Sequence, residues 1–155
     1  MIATDLETDV GPALKWARHL APHASFTFLH VYRGLFESKL QYADVSNADI
    51  AEYRLAGRQK AGRGLTALLV RHRSGDARRA LLAHGWAVHE VPRKARELGA
   101  DLLVVVKSTH SWWAEVLGAS VSVEIATHAD QDVLVVHGES NAALQRPAEV
   151  VGHAE

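Results

Sequence analysis

The 155-residue sequence predicts an α/β domain in which helices cover both faces of a parallel β-sheet. Short apolar runs alternate along the chain with longer segments whose apolar residues recur at helical spacing. Two of the runs, Leu102–Val106 and Val133–Val136, contain only leucine and valine, which is typical of strands buried on both faces. Because crossovers between parallel strands are right-handed, this order favours a doubly wound sheet, Rossmann-like or flavodoxin-like.

Five strands are predicted from the apolar, β-branched and aromatic runs. They lie at Met1–Thr4, Ser25–Tyr32, Arg79–His84, Leu102–Lys107 and Asp132–His137. The run Arg79–His84 is less apolar than the others and suits an edge of the sheet. The connection Arg33–Asn47 shows no sustained period and is predicted to be irregular.

Four helices are predicted between these strands, at Val10–Ala21, at about Ala48–His72, after Gly85, and near Trp113–His128. The inner face of the second carries Ile50, Tyr53, Gly57, Ala61, Leu65 and Leu68, and that of the third carries Val88, Val91, Ala95 and Leu98. Pro22 ends the first helix and Gly99 ends the third. Pro92 has no amide hydrogen, so we expect the regular part of the third helix to start late.

The amino-acid composition and net charge indicate the class of protein. Apolar residues make up 48% of the chain and charged residues 23%, the formal net charge is −1, and there is no cysteine. These values predict one soluble, cytoplasmic domain without disulfides, with no electrostatic reason to bind nucleic acid or a membrane. We place this domain at residues 1–137 and predict that residues 138–155 form a polar, flexible tail.

Several segments, taken in order, resemble the universal stress protein (UspA-like) family. They are the opening IATDLETDVGPALKWARHLAP, the strand SFTFLHVY, the positions Gly85, Val91 and Ala95, and the run ADLLVVV. The resemblance covers Ile2 to His137. It implies a five-stranded parallel sheet of order 3-2-1-4-5 and a homodimer formed through the last strand, Val133–Val136. A free apolar edge strand is also a physical reason for such pairing.

Many members of this family bind ATP through a Gly-x2-Gly-x9-Gly-Ser/Thr signature after the fourth strand. Glycines there let the backbone approach the phosphates, and main-chain amides donate to the anion. An ungapped match places Val106, Thr109 and Ala119 at the glycine positions and Ser120 at the hydroxyl position. Since all three glycines are replaced, the chain resembles the branch of the family that lacks the signature, and no bound cofactor is predicted, although ATP stays a candidate.

The resemblance places the candidate nucleotide-binding positions at Asp5, Val31, Val106, Thr109 and Ser120. Asp5 either faces an adenine or ribose or is a turn or capping carboxylate, and the second reading is slightly favoured. The loop Lys107–Ser111 either contacts an anion or is simply solvated. The adjacent Trp112 and Trp113 pack in the core, cover the cleft or meet a partner.

No catalytic motif is recognised, because the chain has no nucleophile elbow, P-loop lysine signature or cysteine nucleophile. Its ten histidines lack metal-ligand spacing, so no metal site is predicted. The leading hypothesis is a non-enzymatic stress-response module that acts as a homodimer with weak or no ATP binding. The alternative is an ATP- or AMP-binding sensor that uses the degenerate phosphate loop; slow nucleotide hydrolysis is a third candidate supported by fold analogy alone.

Overall fold

The computed structural model describes residues 1–33, 46–72, 78–108 and 121–138. Five parallel strands form one sheet of order β3-β2-β1-β4-β5, so the predicted fold class and strand order are confirmed. The strands are β1 (Ile2–Ala3), β2 (Phe26–Tyr32), β3 (Arg78–His84), β4 (Leu102–Ser108) and β5 (Asp132–Gly138). The predicted edge strand β3 does lie at an edge.

Four helices connect the strands: α1 (Gly11–Leu20), α2 (Asn47–Arg71), α3 (Ala87–Glu97) and α4 (Val121–His128). Of the predicted helix Trp113–His128, only the part from Val121 lies among the described residues. Ser46 caps α2, because its hydroxyl accepts a hydrogen bond of 3.2 Å from the amide of Asp49. On the predicted inner face of α2, Tyr53 and Gly57 are half-buried, and the fully buried members are Ile50, Ala61, Leu65 and Leu68.

The sheet separates two apolar layers, because alternate strand residues point to opposite faces. Residues of α1 and α2 pack on one face, against Ile2, Phe26, Phe28, Val104, Val106 and Val136. Residues of α3 and α4 pack on the other, against Ala3, Leu29, Val31, Ala83, Leu103 and Val105. Within the described ranges, no helix is long and apolar enough to cross a membrane.

The start of α3 differs from the prediction. The helix begins at Ala87, and the carbonyl of Trp86 accepts hydrogen bonds from the amides of His89 and Glu90 at 3.0 and 2.9 Å. Pro92 lies inside the helix and is buried. It removes one main-chain hydrogen bond, but the buried face on both sides of it offsets that loss. Leu98, predicted on this face, is instead exposed and ends the helix.

Gly99 ends α3 in the way the sequence predicts. Its φ of +59° places it in the left-handed region, and its amide and that of Ala100 donate to the carbonyls of Arg96 and Ala95. An added Cβ would meet no heavy atom within 4 Å. Any cost of a side chain at this position is therefore conformational rather than steric.

Two glycine-to-alanine substitutions should therefore have opposite effects on stability. Gly99→Ala should lower the free energy of unfolding by about 1 kcal/mol, because a Cβ disfavours the left-handed region. Gly57→Ala, inside α2, should raise it by about 0.5–1 kcal/mol, because alanine loses less conformational freedom in a helix. The added Cβ at Gly57 has ordinary contact, 3.8 Å from Tyr32 Cδ2. Urea unfolding of both variants tests the pair, and effects of equal sign would contradict this account.

Candidate functional site

The candidate site lies at the carboxyl edge of the sheet, where the central strand is the shortest. β1 ends at Ala3, which is in register with Leu29 of β2 and Val105 of β4. The two neighbouring strands continue to Tyr32 and Ser108. A gap therefore opens beyond β1, at the place where doubly wound sheets bind ligands.

Asp5 directly follows β1 and is engaged in its own turn. Its Oδ1 accepts hydrogen bonds from the amides of Glu7 and Thr8 at 2.9 and 2.8 Å, and its Oδ2 accepts one from the Thr8 hydroxyl at 2.8 Å. Leu6, at the turn, has a φ of +68°. Such an Asx turn is a common use of aspartate after a strand. The carboxylate thus organises the β1–α1 loop.

Val31 and Val106 are both buried, and their side chains lie in different layers. Val31 belongs to the α3/α4 layer and Val106 to the α1/α2 layer. Their main chains, in contrast, both face β1. The amide of Thr4 donates to the main-chain oxygen of Leu29, and the amide of Val104 donates to that of Met1. Main-chain groups two residues apart in a strand point to the same side. The main-chain groups of Val31 and Val106 therefore also point to the side of the strand on which β1 lies. A ligand in the gap would meet backbone groups here rather than side chains.

Gly138 joins the end of β5 to this loop, a contact that no sequence motif indicated. A Cβ at Gly138 would lie 2.6 Å from Thr8 Cγ2, 2.8 Å from the main-chain oxygen of Asp9 and 3.1 Å from Val106 Cγ1. Thr8 is fully buried between this glycine and Asp5. Strand β5 extends to Gly138, one residue beyond its predicted end at His137. Residues 139–155 lie outside the described part of the chain.

His30 is a second feature that the sequence did not single out. It is buried, and its Nδ1 lies 2.8 Å from the carbonyl oxygen of Thr4. Since a carbonyl oxygen only accepts, Nδ1 carries the proton. Burial lowers the pKa of His30, and the hydrogen bond to Thr4 and the negative charge of Asp5 partly oppose this shift.

A cleft opens between the β1–α1 loop and the C-terminal half of α2. Its lining includes Leu6, Thr8, Val10, Gly64, Leu68 and His72. At its rim, His72 Nε2 lies 3.4 Å from Asp9 Oδ1, which also accepts a 3.1 Å hydrogen bond from the amide of Gly11 at the start of α1. Asp9 thus ties α1 to the end of α2.

The remaining predicted positions, Thr109 and Ser120, lie outside the described residues, as do Trp112 and Trp113. Beside the gap, the guanidinium carbon of Arg33 lies 3.6 Å from the ring centroid of Trp86, a cation–π contact between the ends of β2 and β3. In the described part of the chain, no group of three or more histidine, aspartate or glutamate residues could hold a metal ion.

The strand order and the gap beyond β1 define a doubly wound α/β protein with its candidate site at the switch point of the sheet. The sequence profile of the universal stress protein family matches residues 1–137, and the chain belongs to that family. No curated protein sequence matches it.

The solved structures that share this fold include three proteins with 19–21% sequence identity to this chain. The hypothetical protein MJ0577, whose biochemical function was assigned from its structure, is 19% identical with a TM-score of 0.63, and the match covers 88% of this chain and 94% of that one. A universal stress protein in complex with cAMP is 20% identical with a TM-score of 0.51, covering 88% and 93%. A family member from Arabidopsis thaliana with AMP bound is 21% identical with a TM-score of 0.51, covering 88% and 81%. At these identities the likeness establishes the shared fold.

Substitution of Gly138 should destabilise the protein strongly. Gly138→Ala forces the β5 end away from Thr8 and the Asp9 backbone, and such overpacking should cost about 1–3 kcal/mol of unfolding free energy. Thr8→Ser removes the methyl group but keeps the hydroxyl for Asp5. The double variant should therefore lose less than the sum of the single losses in a double-mutant cycle. Additive losses in urea unfolding would show that the Thr8 methyl is not the obstacle.

Burial of His30 predicts a loss of stability in mild acid. Its pKa in the folded protein lies below the ordinary value of 6.5, so the unfolded chain takes up the proton first as the pH falls. The neutral His30 should therefore not reduce the free energy of unfolding above pH 6.5. As the pH falls below 6.5, the free energy of unfolding should decrease. His30→Gln should flatten this slope below pH 6.5, whereas His89→Gln, at an exposed position of α3, should not. Equal slopes in all three proteins would contradict the assignment.

Proposed function

We propose that this universal stress protein is a cytoplasmic, non-enzymatic stress-response module that acts as a homodimer and binds ATP weakly or not at all. The observation that carries the proposal is the engagement of Asp5. Both oxygens of its carboxylate accept hydrogen bonds from residues of its own turn. To turn this group toward a nucleotide, the protein would have to break the contacts that hold Thr8 and the β1–α1 loop.

The residues at the signature positions, at the end of the fourth strand and after it, independently support the proposal that ATP binds weakly or not at all. Val106 stands where the family signature has its first glycine, and its side chain packs in the α1/α2 layer. Thr109 and Ala119 replace the other two glycines. A β-branched residue cannot readily adopt a glycine-only backbone conformation, which supports placing the chain in the branch that lacks the signature.

The proposed dimer rests on a difference between the two edges of the sheet. The β3 edge carries Arg79, and exposed charges of this kind discourage edge-to-edge pairing. The β5 edge carries Val133–Val136, with Val135 42% exposed, and the neighbouring α4 exposes Val123 by 61%. Pairing of two β5 strands would satisfy the free main-chain groups of this edge and cover its apolar side chains.

A nucleotide-sensing role is the second candidate, favoured by the backbone around the gap. Val31 and Val106 both direct main-chain groups toward the space beyond β1, and backbone contacts to a nucleotide do not require particular side chains. Two of the similar structures hold cAMP and AMP. In this case the ligand would bind without the glycine loop and without a free Asp5 carboxylate.

Calorimetric titration with ATP and magnesium tests the ligand part of the proposal. The wild-type protein should show no binding at low micromolar concentration. The triple variant Val106→Gly, Thr109→Gly and Ala119→Gly restores the signature glycines and should bind at least about tenfold more tightly, a gain of about 1.4 kcal/mol. Val104→Gly, at a buried position of the same strand outside the signature, controls for loosened packing. Low-micromolar binding by the wild-type protein would overturn the proposal in favour of the sensor.

Light scattering during size-exclusion chromatography tests the dimer. Val135→Lys should convert a dimer into a monomer at micromolar concentration, because it places a charge in the proposed apolar contact. Val70→Lys is the matched control, since Val70 is 57% exposed on α2, away from β5. A monomeric wild-type protein, or a Val135→Lys variant that remains dimeric, would contradict pairing through β5.

A further inference from the structure

The main-chain groups of two residues in the edge strand β3 point away from the sheet. β3 pairs with β2 and has no second neighbouring strand in the described part of the chain. The amide of Gly85 donates to the main-chain oxygen of Tyr32 in β2, and main-chain groups two residues apart in a parallel strand point to the same side. Ala83 therefore faces β2, whereas Ala80 and Leu82 face outward. Their amides and carbonyls are available to pair with one more strand.

Exposed arginines border this edge on both faces of the sheet. Ala83 lies in the α3/α4 layer, so the alternation along β3 directs the exposed side chain of Arg79 to the same face. On the other face, α2 meets β3 at Gly62, where an added Cβ would lie 3.8 Å from Leu82 Cδ1. Arg58 is exposed one helical turn before Gly62 and therefore lies on the side of α2 that meets β3.

The two arginines lie near opposite ends of β3. Arg79 is at the amino end of the strand. Arg58 directly follows Gly57, where an added Cβ would lie 3.8 Å from Tyr32 Cδ2, and Tyr32 is the register partner of His84 at the carboxyl end. From position 79 to position 84 a strand rises about 17 Å. Because an odd separation in an extended segment places two side chains on opposite faces, carboxylates five residues apart would match the two arginines.

The positive charge around this edge is not balanced locally. Residues 53–84 contain eight lysine or arginine residues and one aspartate, a net charge of +7, whereas the rest of the chain has a net charge of −8. No hydrogen bond or ion pair to a described residue involves Arg58 or Arg79. Arg93 of α3 differs, because it pairs with two glutamates of its own helix. The edge is therefore complementary to a segment with negative charge.

Leucines that solvent reaches lie beside the arginines. Leu55 is 54% exposed on α2, two turns before Gly62 and hence on the same side of the helix as Arg58. Leu81 and Leu82 of β3 are half-buried and belong to opposite layers. Apolar side chains of an added strand would cover these leucines. The edge thus suits an extended segment with acidic residues near its ends and apolar or β-branched residues between them.

We propose that the β3 edge binds an extended acidic segment of a partner protein, which adds a sixth strand to the sheet. Main-chain hydrogen bonds to Ala80 and Leu82 provide the affinity, and ion pairs with Arg58 and Arg79 select the acidic partner. The same arginines repel a second copy of this edge, so the edge distinguishes a partner from itself. A nucleic acid would meet the arginines but has no strand to pair with the main chain of β3. The interaction goes beyond the proposed function and uses the edge opposite β5.

The probe is the capped peptide Glu-Val-Thr-Val-Thr-Glu, which carries its two carboxylates five residues apart. Amide chemical shifts and hydrogen exchange of the full-length protein would be followed by NMR during titration at low ionic strength. At saturation the amide hydrogens of Ala80 and Leu82 should exchange more slowly, because the added strand accepts their hydrogen bonds. The amide hydrogen of Ala83, which already faces β2, should not change.

Charge variants test the selection of an acidic partner. Arg58→Gln and Arg79→Gln should each weaken peptide binding by about 1.5- to fivefold, the size expected for one exposed ion pair. Lys60→Gln is the control, because Lys60 is exposed one turn before Gly64, on the side of α2 that meets Leu6 in the β1–α1 loop. Its binding should equal that of the wild type, and the reversed-charge peptide Lys-Val-Thr-Val-Thr-Lys should not bind.

The remaining outcomes would overturn the proposal. These are the absence of saturable binding, equal binding of the two peptides, and binding that slows exchange at neither Ala80 nor Leu82. Slow exchange at these two amides without peptide, lost on dilution, would mean that a second copy of the chain occupies the edge. Oligothymidylate that binds more tightly than the peptide and shifts Arg58 and Arg79 would assign the surface to nucleic acid. The ATP titration and the light-scattering experiment do not depend on these results, so a failure here is distinguishable from a failure of the proposed function.

Discussion

The contacts of Thr8 connect the main parts of the sheet edge. Its amide and hydroxyl hold both oxygens of Asp5, and its methyl group packs on Gly138 at the end of β5. The central strand β1 has only two residues, so its position depends on the loop that follows it as well as on its neighbours. A fully buried threonine with its hydroxyl satisfied thereby fixes the loop, the gap beyond β1 and the last strand relative to one another.

Much of the fold could be predicted from the sequence because its signals are local. Runs such as Leu102–Val106 fit buried parallel strands, and Gly99 fits a helix end with positive φ. The prediction that the regular part of α3 starts late, which rested on Pro92, is wrong. A proline inside a helix removes one main-chain hydrogen bond. In α3 the burial of Val88, Val91 and Ala95 outweighs that loss.

The details of the site were harder to predict, because they depend on residues distant in sequence. Gly138 follows an apolar strand and precedes a polar segment, a context that reads as the start of a tail. Its need for glycine comes from Thr8 and Asp9, at the other end of the chain. The burial of His30 likewise depends on the carbonyl of Thr4 in the neighbouring loop. The two candidate meanings of Asp5 differ only in which groups its carboxylate meets.

The β1–α1 loop limits the size of the residue at the end of β5 more strictly than the neighbouring strand does. A Cβ at position 138 would lie 2.6 Å from Thr8 Cγ2 and 2.8 Å from the main-chain oxygen of Asp9, but 3.1 Å from Val106 Cγ1. The main-chain oxygen cannot move away by a change of rotamer, so position 138 needs glycine whichever residue stands at 106. Val106 is itself buried in the α1/α2 layer, so this position contributes to the core as well as to the contact with the end of β5.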